Sequence, residues 1–249
     1  MSAPPSPIRS GQYKNPDDLI KALMALPSAH YITSAARSFD PSEGYEIDKN
    51  CAGITGAGSA RPVMATKGLT ACMGVAVYNP EQKIGGIAHL AQDPDDPYRL
   101  AKEGRKALRS LLAVARDDGA GKLEVRISGP MQGGGFADVF IRDALQILND
   151  TPDLTFLSAD FRGKDYPFVV GIDTRRWDEG LLKGRTTAIS SPQDSNMAEI
   201  ARRTIEGARD GVDMDSLPPA PSYNDDCLFD ARALAKYSDR DKQPGKIER

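Results

Sequence analysis

The stretch TKGLTACMGVAVYNPEQKIGGIAHLA, residues 66–91, decides how this chain is interpreted. Two apolar runs on either side of the polar sequence NPEQ are typical of a β-hairpin. If Asn79 to Gln82 form the turn, counting back along both strands places Cys72 opposite His89. Residues that face each other across an antiparallel pair share one side of the sheet, with Cβ atoms about 4.5–5.5 Å apart. The spacing therefore predicts that a thiol lies beside an imidazole.

A thiol beside an imidazole can support nucleophilic catalysis, because the base takes the thiol proton and later protonates the leaving group. Taken alone, Cys72 is better explained as a buried structural thiol, and His89 as a partly buried histidine with satisfied hydrogen bonds. Their joint spacing with Thr66 favours an active pair. The prediction depends on register, since a one-residue slip would put the two side chains on opposite faces. The face away from the pair should enter the core through Met73, Val75, Val77, Ile84, Ala88 and Leu90.

Composition and charge narrow the classes of protein to which the chain can belong. The formal net charge of −3 argues against a nucleic-acid-binding protein, which usually carries a basic stripe. No apolar run reaches the roughly 18 residues that a membrane-spanning helix needs, so no membrane span is expected. The N-terminal sequence MSAPPSPIRSGQYKNP lacks the apolar centre of a classical signal peptide, and its first 15 residues are expected to be a flexible tail.

Cysteine and histidine are too few to form a metal centre or a disulfide framework. The three cysteines are Cys51, Cys72 and Cys227, and the two histidines are His30 and His89. No cluster among them has metal-ligand spacing, so we expect no metal site. Cys51 and Cys227 are expected to be ordinary thiols.

Two further features have both a functional and a structural interpretation. The glycine loop Gly133–Gly135 lacks the Lys and Ser/Thr of a phosphate-binding P-loop, and we favour a tight turn beside the cleft. Trp177 and Tyr166 either line a substrate groove or pack in the core, and packing is the commoner role of aromatic side chains.

Hydrophobic periodicity predicts a mixed α/β (α+β) fold of β-strands and amphipathic helices. The central domain is expected at 45–184, between an N-terminal extension at 1–44 and a helical C-terminal extension and tail at 185–249. The predicted helices are 16–26, capped by Asn15, then 99–119, 137–150 and 195–210, with a short one after 228. The predicted strands are 30–35, the hairpin, 123–129, and a closing pair at 154–161 and 167–174.

The hairpin resembles the CheD-like chemoreceptor glutamine deamidase family, part of a wider group of thiol deamidases that includes toxins of the cytotoxic-necrotizing-factor type. The separations of six residues from Thr66 to Cys72 and seventeen from Cys72 to His89 both match. A weaker likeness extends over about residues 45–180. The residues that carry the resemblance are Thr66, Gly68, Leu69, Cys72, Pro80, Lys83, Ile84, Gly85, Gly86 and His89.

The resemblance implies a layered sandwich fold and a cofactor-free hydrolysis of glutamine side chains in a protein substrate. In that chemistry Cys72 attacks the carboxamide, His89 transfers protons and Thr66 orients the imidazole. The backbone N–H of Cys72 is the natural donor to the oxyanion. Two segments depart from the family pattern. Thr70-Ala71 replaces Gly-Ser before the cysteine, and Gly133–Phe136 replaces a Gly-Gly-Ala loop.

Three interpretations of function follow. The first is a protein-glutamine deamidase, either a bacterial chemotaxis enzyme with extensions or an effector that acts in a target cell. Its location would then be the bacterial cytoplasm, or a target cell reached through a specialised secretion system. The second is a thiol amidase or peptidase of another specificity. The third is a non-catalytic adaptor that keeps the fold. The sequence does not predict an oligomeric state.

Overall fold

The computed structural model describes residues 7–26, 31–32, 41–69, 71–116, 121–129, 137–160, 169–185, 212–213 and 216–238. The glycine loop, Tyr166, His30 and the predicted helix at 195–210 lie outside the described residues. Thr70, one of the departures from the family pattern, also lies outside them.

The described residues form four helices and thirteen strands. The helices are α1 (Pro16–Met24), α2 (Lys102–Arg116), α3 (Ala137–Asn149) and α4 (Ala231–Ser238). The strands are β1 (Ile8–Arg9), β2 (Tyr31–Ile32), β3 (Gly44–Glu46), β4 (Ala52–Gly56), β5 (Val63–Lys67), β6 (Met73–Asn79), β7 (Ile84–Leu90), β8 (Leu123–Ser128), β9 (Leu154–Asp160), β10 (Val169–Asp173), β11 (Leu181–Arg185), β12 (Val212–Asp213) and β13 (Leu228–Asp230).

The strands form two mixed sheets, which confirms the predicted fold class. The first sheet has the order β1-β9-β8-β6-β7-β4-β13, and the second β12-β11-β10-β5-β3, with β2 also paired to β11. One apolar cluster fills the space between the first sheet and helices α1, α2 and α3, and a second cluster lies between the two sheets. The layers are therefore helix, sheet and sheet.

Local sequence accounts for the helix layer. Asn15 caps α1, because its Oδ1 accepts the N–H of Asp17 at 3.0 Å and Pro16 occupies the first turn. In α2 the apolar residues recur at helical spacing, so they form one stripe that packs on the first sheet. The buried members of the α2 stripe are Ala107, Leu108, Leu111, Leu112 and Ala115.

The hairpin β6–β7 forms as predicted, but its register differs by two residues. Asn79 pairs with Ile84, so the loop begins one residue later than expected and includes Lys83. The Asn79 side chain accepts the N–H groups of Glu81 and Gln82, and Lys83 has a φ of 56°. Side chains alternate with a period of two, so this shift keeps every residue on its predicted face.

Both faces of the hairpin are buried, in different environments. Met73, Val75, Val77, Ala88 and Leu90 belong to the core under the helices, as predicted. The face that carries Cys72 and His89 points towards the second sheet. It is the interior of the sandwich rather than an open surface.

Segments outside the central region add strands to both sheets. Ile8 and Arg9 pair with β9, so these two residues lie in a strand rather than in a flexible tail. At the other end of the chain, β13 pairs in parallel with β4. The predicted closing pair also differs from the structure, because β9 lies in the first sheet and β10 in the second. Among the helices described, none is long and apolar enough to cross a membrane.

Candidate active site

Three elements from two sheets bring Cys72, His89 and Thr66 to one region of the interior. Thr66 lies on β5 in the second sheet, and His89 lies on β7 in the first. Cys72 directly precedes β6, and its side chain belongs to the cluster between the sheets. His89 faces Gly74 rather than Cys72, which corrects the predicted pairing. Cys72 is two residues before Gly74 and therefore takes a diagonal position relative to His89.

The Thr66 hydroxyl fixes the tautomer of His89. Thr66 Oγ1 lies 2.7 Å from His89 Nδ1 and 2.8 Å from the carbonyl oxygen of Ile47. The carbonyl can only accept, so the single hydroxyl proton of Thr66 goes to Ile47. Nδ1 must then carry a proton and donate it to Oγ1, which leaves Nε2 with a free lone pair. The side chain predicted to orient the imidazole makes the required contact.

The free nitrogen lies in the interior. His89 is 4% exposed, and its Nε2 makes no hydrogen bond with the described residues. A buried polar atom without a partner is costly and often marks a functional site. Cys72 is 8% exposed, and no hydrogen bond joins its sulfur to Nε2. Catalytic hydrogen bonds are often long or absent before substrate binds.

Burial sets the charge of both groups. Burial, as the larger cause, and the positive charge of Lys49 together lower the pKa of His89 to about 4. Burial raises the pKa of the Cys72 thiol, while Lys49 acts in the opposite direction. At neutral pH the resting pair is therefore a neutral thiol and a neutral imidazole. If a neutral pair of this kind were catalytic, it would use general-base catalysis, in which the thiol proton leaves as the sulfur attacks.

The segment from Ile47 to Cys51 holds the backbone of His89 in place. Asn50 donates its N–H to the carbonyl oxygen of His89 at 2.8 Å, and the N–H of His89 donates to the carbonyl oxygen of Cys51 at 2.9 Å. The Asn50 side chain accepts the N–H of Ala91 at 3.0 Å. Asn50 has a φ of 60°, a conformation that asparagine adopts more readily than most residues. Sequence reasoning missed this segment, although asparagine, which favours turns, was a usable signal.

The loop between Lys67 and Met73 crosses from one sheet to the other. Gly68 has a φ of 83°, which favours glycine, and Leu69 is fully buried over Gly74. The N–H of Cys72 donates to the carbonyl oxygen of Leu69 at 3.2 Å. The predicted oxyanion donor is therefore already engaged in a turn. It becomes available to a ligand only if this turn opens.

Gly85 and Gly86 of the hairpin motif have a structural role. A Cβ at Gly85 would lie 2.8 Å from the Val77 carbonyl oxygen, and one at Gly86 would overlap the carbonyl oxygen of Gly53. The two glycines thus let β7 pack closely between its neighbouring strands. They place His89 in the sheet without taking part in its chemistry.

Trp177 packs in the interior rather than lining a groove. It is 2% exposed and stacks on Tyr78, with ring centroids 5.1 Å apart. Its indole N–H donates to Glu124 at 2.6 Å, and the guanidinium of Arg126 lies 5.0 Å from its ring centroid. The structural interpretation of this aromatic residue is the correct one.

Within the described part of the chain, no group of three or more His, Cys, Asp or Glu side chains is placed to hold a metal ion. The polar groups at the site are a thiol, an imidazole, a hydroxyl and backbone amides. Such a set suits acyl transfer through a covalent intermediate.

No protein-family model matches the chain, and no curated protein is significantly similar to it in sequence. The resemblance to the CheD-like deamidases therefore stays a hypothesis that rests on the residues of the hairpin.

Proposed function

We propose that the protein is a cysteine-dependent protein-glutamine deamidase. The observation that carries the proposal is the chain of contacts from the Ile47 carbonyl through Thr66 to His89 Nδ1. It holds Nε2 unprotonated on the same side of the sheet as Cys72. A histidine that served only for packing would be expected to satisfy both of its ring nitrogens.

In the proposed reaction Cys72 attacks the carboxamide carbon of a glutamine side chain while His89 Nε2 takes the thiol proton. The proton passes to the nitrogen, ammonia leaves and a thioester remains. His89 then takes a proton from water as the water oxygen attacks the thioester carbonyl. Glutamate is released and the proton returns to the Cys72 sulfur. The net reaction consumes one water and yields glutamate and ammonia.

The closed turn at Leu69 to Cys72 implies that substrate must rearrange this loop. The sulfur is nearly buried, and the N–H of Cys72 is engaged by Leu69. Binding of a protein substrate would open the turn, expose the sulfur and free the N–H for the oxyanion. An enzyme whose site is closed in the resting state would not hydrolyse amides other than those of its substrate.

The direct test is to incubate the protein with cell lysates and map changes from glutamine to glutamate by mass spectrometry. The wild type should add about 1 Da at selected glutamines and leave the substrate chain intact. Cys72→Ser and His89→Gln should abolish the change. If the lysate proteins were instead cut into fragments, and only when Cys72 is present, the protein would be a thiol peptidase, the second interpretation of the sequence.

One observation favours the non-catalytic adaptor as the second candidate. The burial of Cys72, its raised pKa and its engaged N–H describe a resting thiol of low reactivity. If the protein is an adaptor, the wild type and the Cys72→Ser variant should bind the same partners, and neither should change the mass of a partner. That result would replace the deamidase proposal.

A further inference from the structure

Cys51 and Cys227 lie side by side although they are far apart in sequence. Cys51 directly precedes β4 and Cys227 directly precedes β13, and these strands are parallel, with Ala52 paired to Leu228. The N–H of Ala52 donates to the carbonyl oxygen of Cys227 at 2.9 Å. The two cysteines therefore occupy adjacent positions on neighbouring strands. Such neighbours have a Cα separation within the roughly 4.4–6.8 Å that disulfides span.

The side chains as well as the backbones meet. The Cys227 thiol is near enough to that of Cys51 to raise its pKa, and both residues are free and partly exposed. A turn fixes Cys227, because its N–H donates to the Asn224 carbonyl oxygen at 2.9 Å while the Asn224 side chain accepts the N–H of Leu228 at 2.9 Å. Cys227 has a φ of 56° in this turn. The approach of the two sulfurs is therefore built into the fold.

We propose that Cys51 and Cys227 are a redox pair, which a peroxide converts into a disulfide that joins β4 to β13. The peroxide oxidises one thiol to a sulfenic acid and releases water. The second sulfur then attacks the first, the S–S bond forms and a second water leaves. The balance is two thiols and one peroxide to one disulfide and two waters. The pair requires no activity at Cys72, so this proposal does not rest on the proposed function.

The surroundings of Cys51 affect the rate at which the disulfide forms. Burial, as the largest cause, together with the nearby Cys227 and Asp48, raises the pKa of Cys51 to about 12. Only thiolates react rapidly with peroxide. We therefore expect the small thiolate fraction of Cys51 to limit the rate at which the disulfide forms. Formation should be slow at neutral pH and faster at higher pH.

The disulfide would act on the C-terminal segment and on the candidate active site. It would link β13, the edge strand of the first sheet, and α4 that follows it directly, covalently to the neighbouring strand β4. It would also restrain Cys51, whose carbonyl oxygen accepts the N–H of His89. Oxidation would thus stiffen the backbone around His89 without touching its imidazole.

The test uses a Cys72→Ser background, which leaves only this pair of thiols. After treatment with hydrogen peroxide, the monomer should lose about 2 Da, and peptide mapping should show a link between residues 51 and 227. Its Tm should rise by several degrees relative to the reduced form and return on reduction. Further replacement of Cys51 or Cys227 by Ser should abolish all three effects.

Three outcomes would overturn the proposal. The first is that Cys51 and Cys227 both remain unmodified thiols under a peroxide treatment that oxidises an exposed cysteine in a control peptide. The second is oxidation of each sulfur separately to sulfinic acid, which adds oxygen instead of removing hydrogen. The third is a link that forms only between molecules. Each of these would show that the two sulfurs do not reach bonding geometry within one chain.

Discussion

One hydroxyl proton determines what His89 can do. Thr66 donates to the Ile47 carbonyl and accepts from Nδ1, so the imidazole presents its lone pair at Nε2. Without that carbonyl, the hydroxyl could donate to Nδ1 and leave the other nitrogen protonated. Nε2 would then be a proton donor instead of a proton acceptor. The backbone oxygen of a residue in another part of the chain thus sets the role of the imidazole.

Thr66→Val should remove this control while keeping the side-chain shape. We expect the rate of glutamine deamidation to fall by about two orders of magnitude, within the range that positioned proton transfer contributes. The variant should also be about 1–3 kcal/mol less stable, because two buried polar groups lose their partner. Thr66→Ser keeps the hydroxyl and should retain most of the activity.

The tautomer can be measured directly, because the chain has only two histidines. Labelling histidine with ¹⁵N in a His30→Ala variant leaves His89 as the single signal. The wild-type Thr66 protein should show a protonated Nδ1, and the Thr66→Val protein should lose this preference. A protonated Nε2 in the presence of Thr66 would contradict the assignment.

The low pKa of His89 predicts an unusual pH dependence of stability. The free imidazole has a pKa of about 6.5, and burial lowers that of His89 to about 4. Between pH 6.5 and pH 4, His89 is protonated in the unfolded chain but not in the folded one. The contribution of this residue to the free energy of unfolding is therefore fully present above pH 6.5 and is lost as the pH falls towards 4. The loss from this residue is on the order of 3 kcal/mol.

Urea unfolding between pH 4 and 8 would measure the effect, with His89→Gln as the control. The wild type should lose more stability than the variant as the pH falls, and the two curves should run parallel above pH 7. Deamidation should likewise stay on a plateau down to about pH 5, because Nε2 remains unprotonated. An acid limb near pH 6.5 would show that the imidazole is more exposed than the structure indicates.

At the scale of elements, the hairpin shows what local sequence can and cannot predict. Its two strands and its two faces were predictable from alternation and spacing. The register was not, because the Asn79 side chain and the positive φ of Lys83 extend the turn by contacts that periodicity does not encode. Strand β4 was missed because AGITG lacks the large β-branched pattern of a typical strand. The hydrogen bonds between the backbone of His89 and residues Asn50 and Cys51 were missed because they join segments that are far apart in the sequence.

Gly86→Ala should test the structural role of the glycines in β7. The new methyl group would overlap the Gly53 carbonyl oxygen of the neighbouring strand, and only movement of the backbone can relieve this contact. We expect a loss of about 3 kcal/mol or more in the free energy of unfolding. Gly58→Ala is the matched control, since nothing lies within 4 Å of its added Cβ. Equal stability of the two variants would mean that β4 and β7 are not packed as described.

At the scale of the whole molecule, the core depends on chain segments that the sequence assigned to extensions. Leu19 and Leu23 of α1 are buried under the first sheet, and Leu228 and Phe229 of β13 are buried beside β4. Local patterns identified the central region, but strands of two or three residues carry too little periodicity to be detected. Their pairing depends on partners far away in the chain. A stable protein should therefore need both flanks.

The C-terminal flank offers a matched pair of substitutions for this expectation. Phe229 is 4% exposed and meets the Tyr45 ring edge-on, with centroids 4.8 Å apart, whereas Leu234 on α4 is 42% exposed. Phe229→Ala should lower the free energy of unfolding by about 3–5 kcal/mol, because it leaves a cavity between the sheets. Leu234→Ala should change it by less than about 1 kcal/mol. Urea unfolding of both variants would measure these changes in the free energy of unfolding. A Phe229→Ala protein as stable as Leu234→Ala would mean that β13 is a detachable addition, and that the central region folds without it.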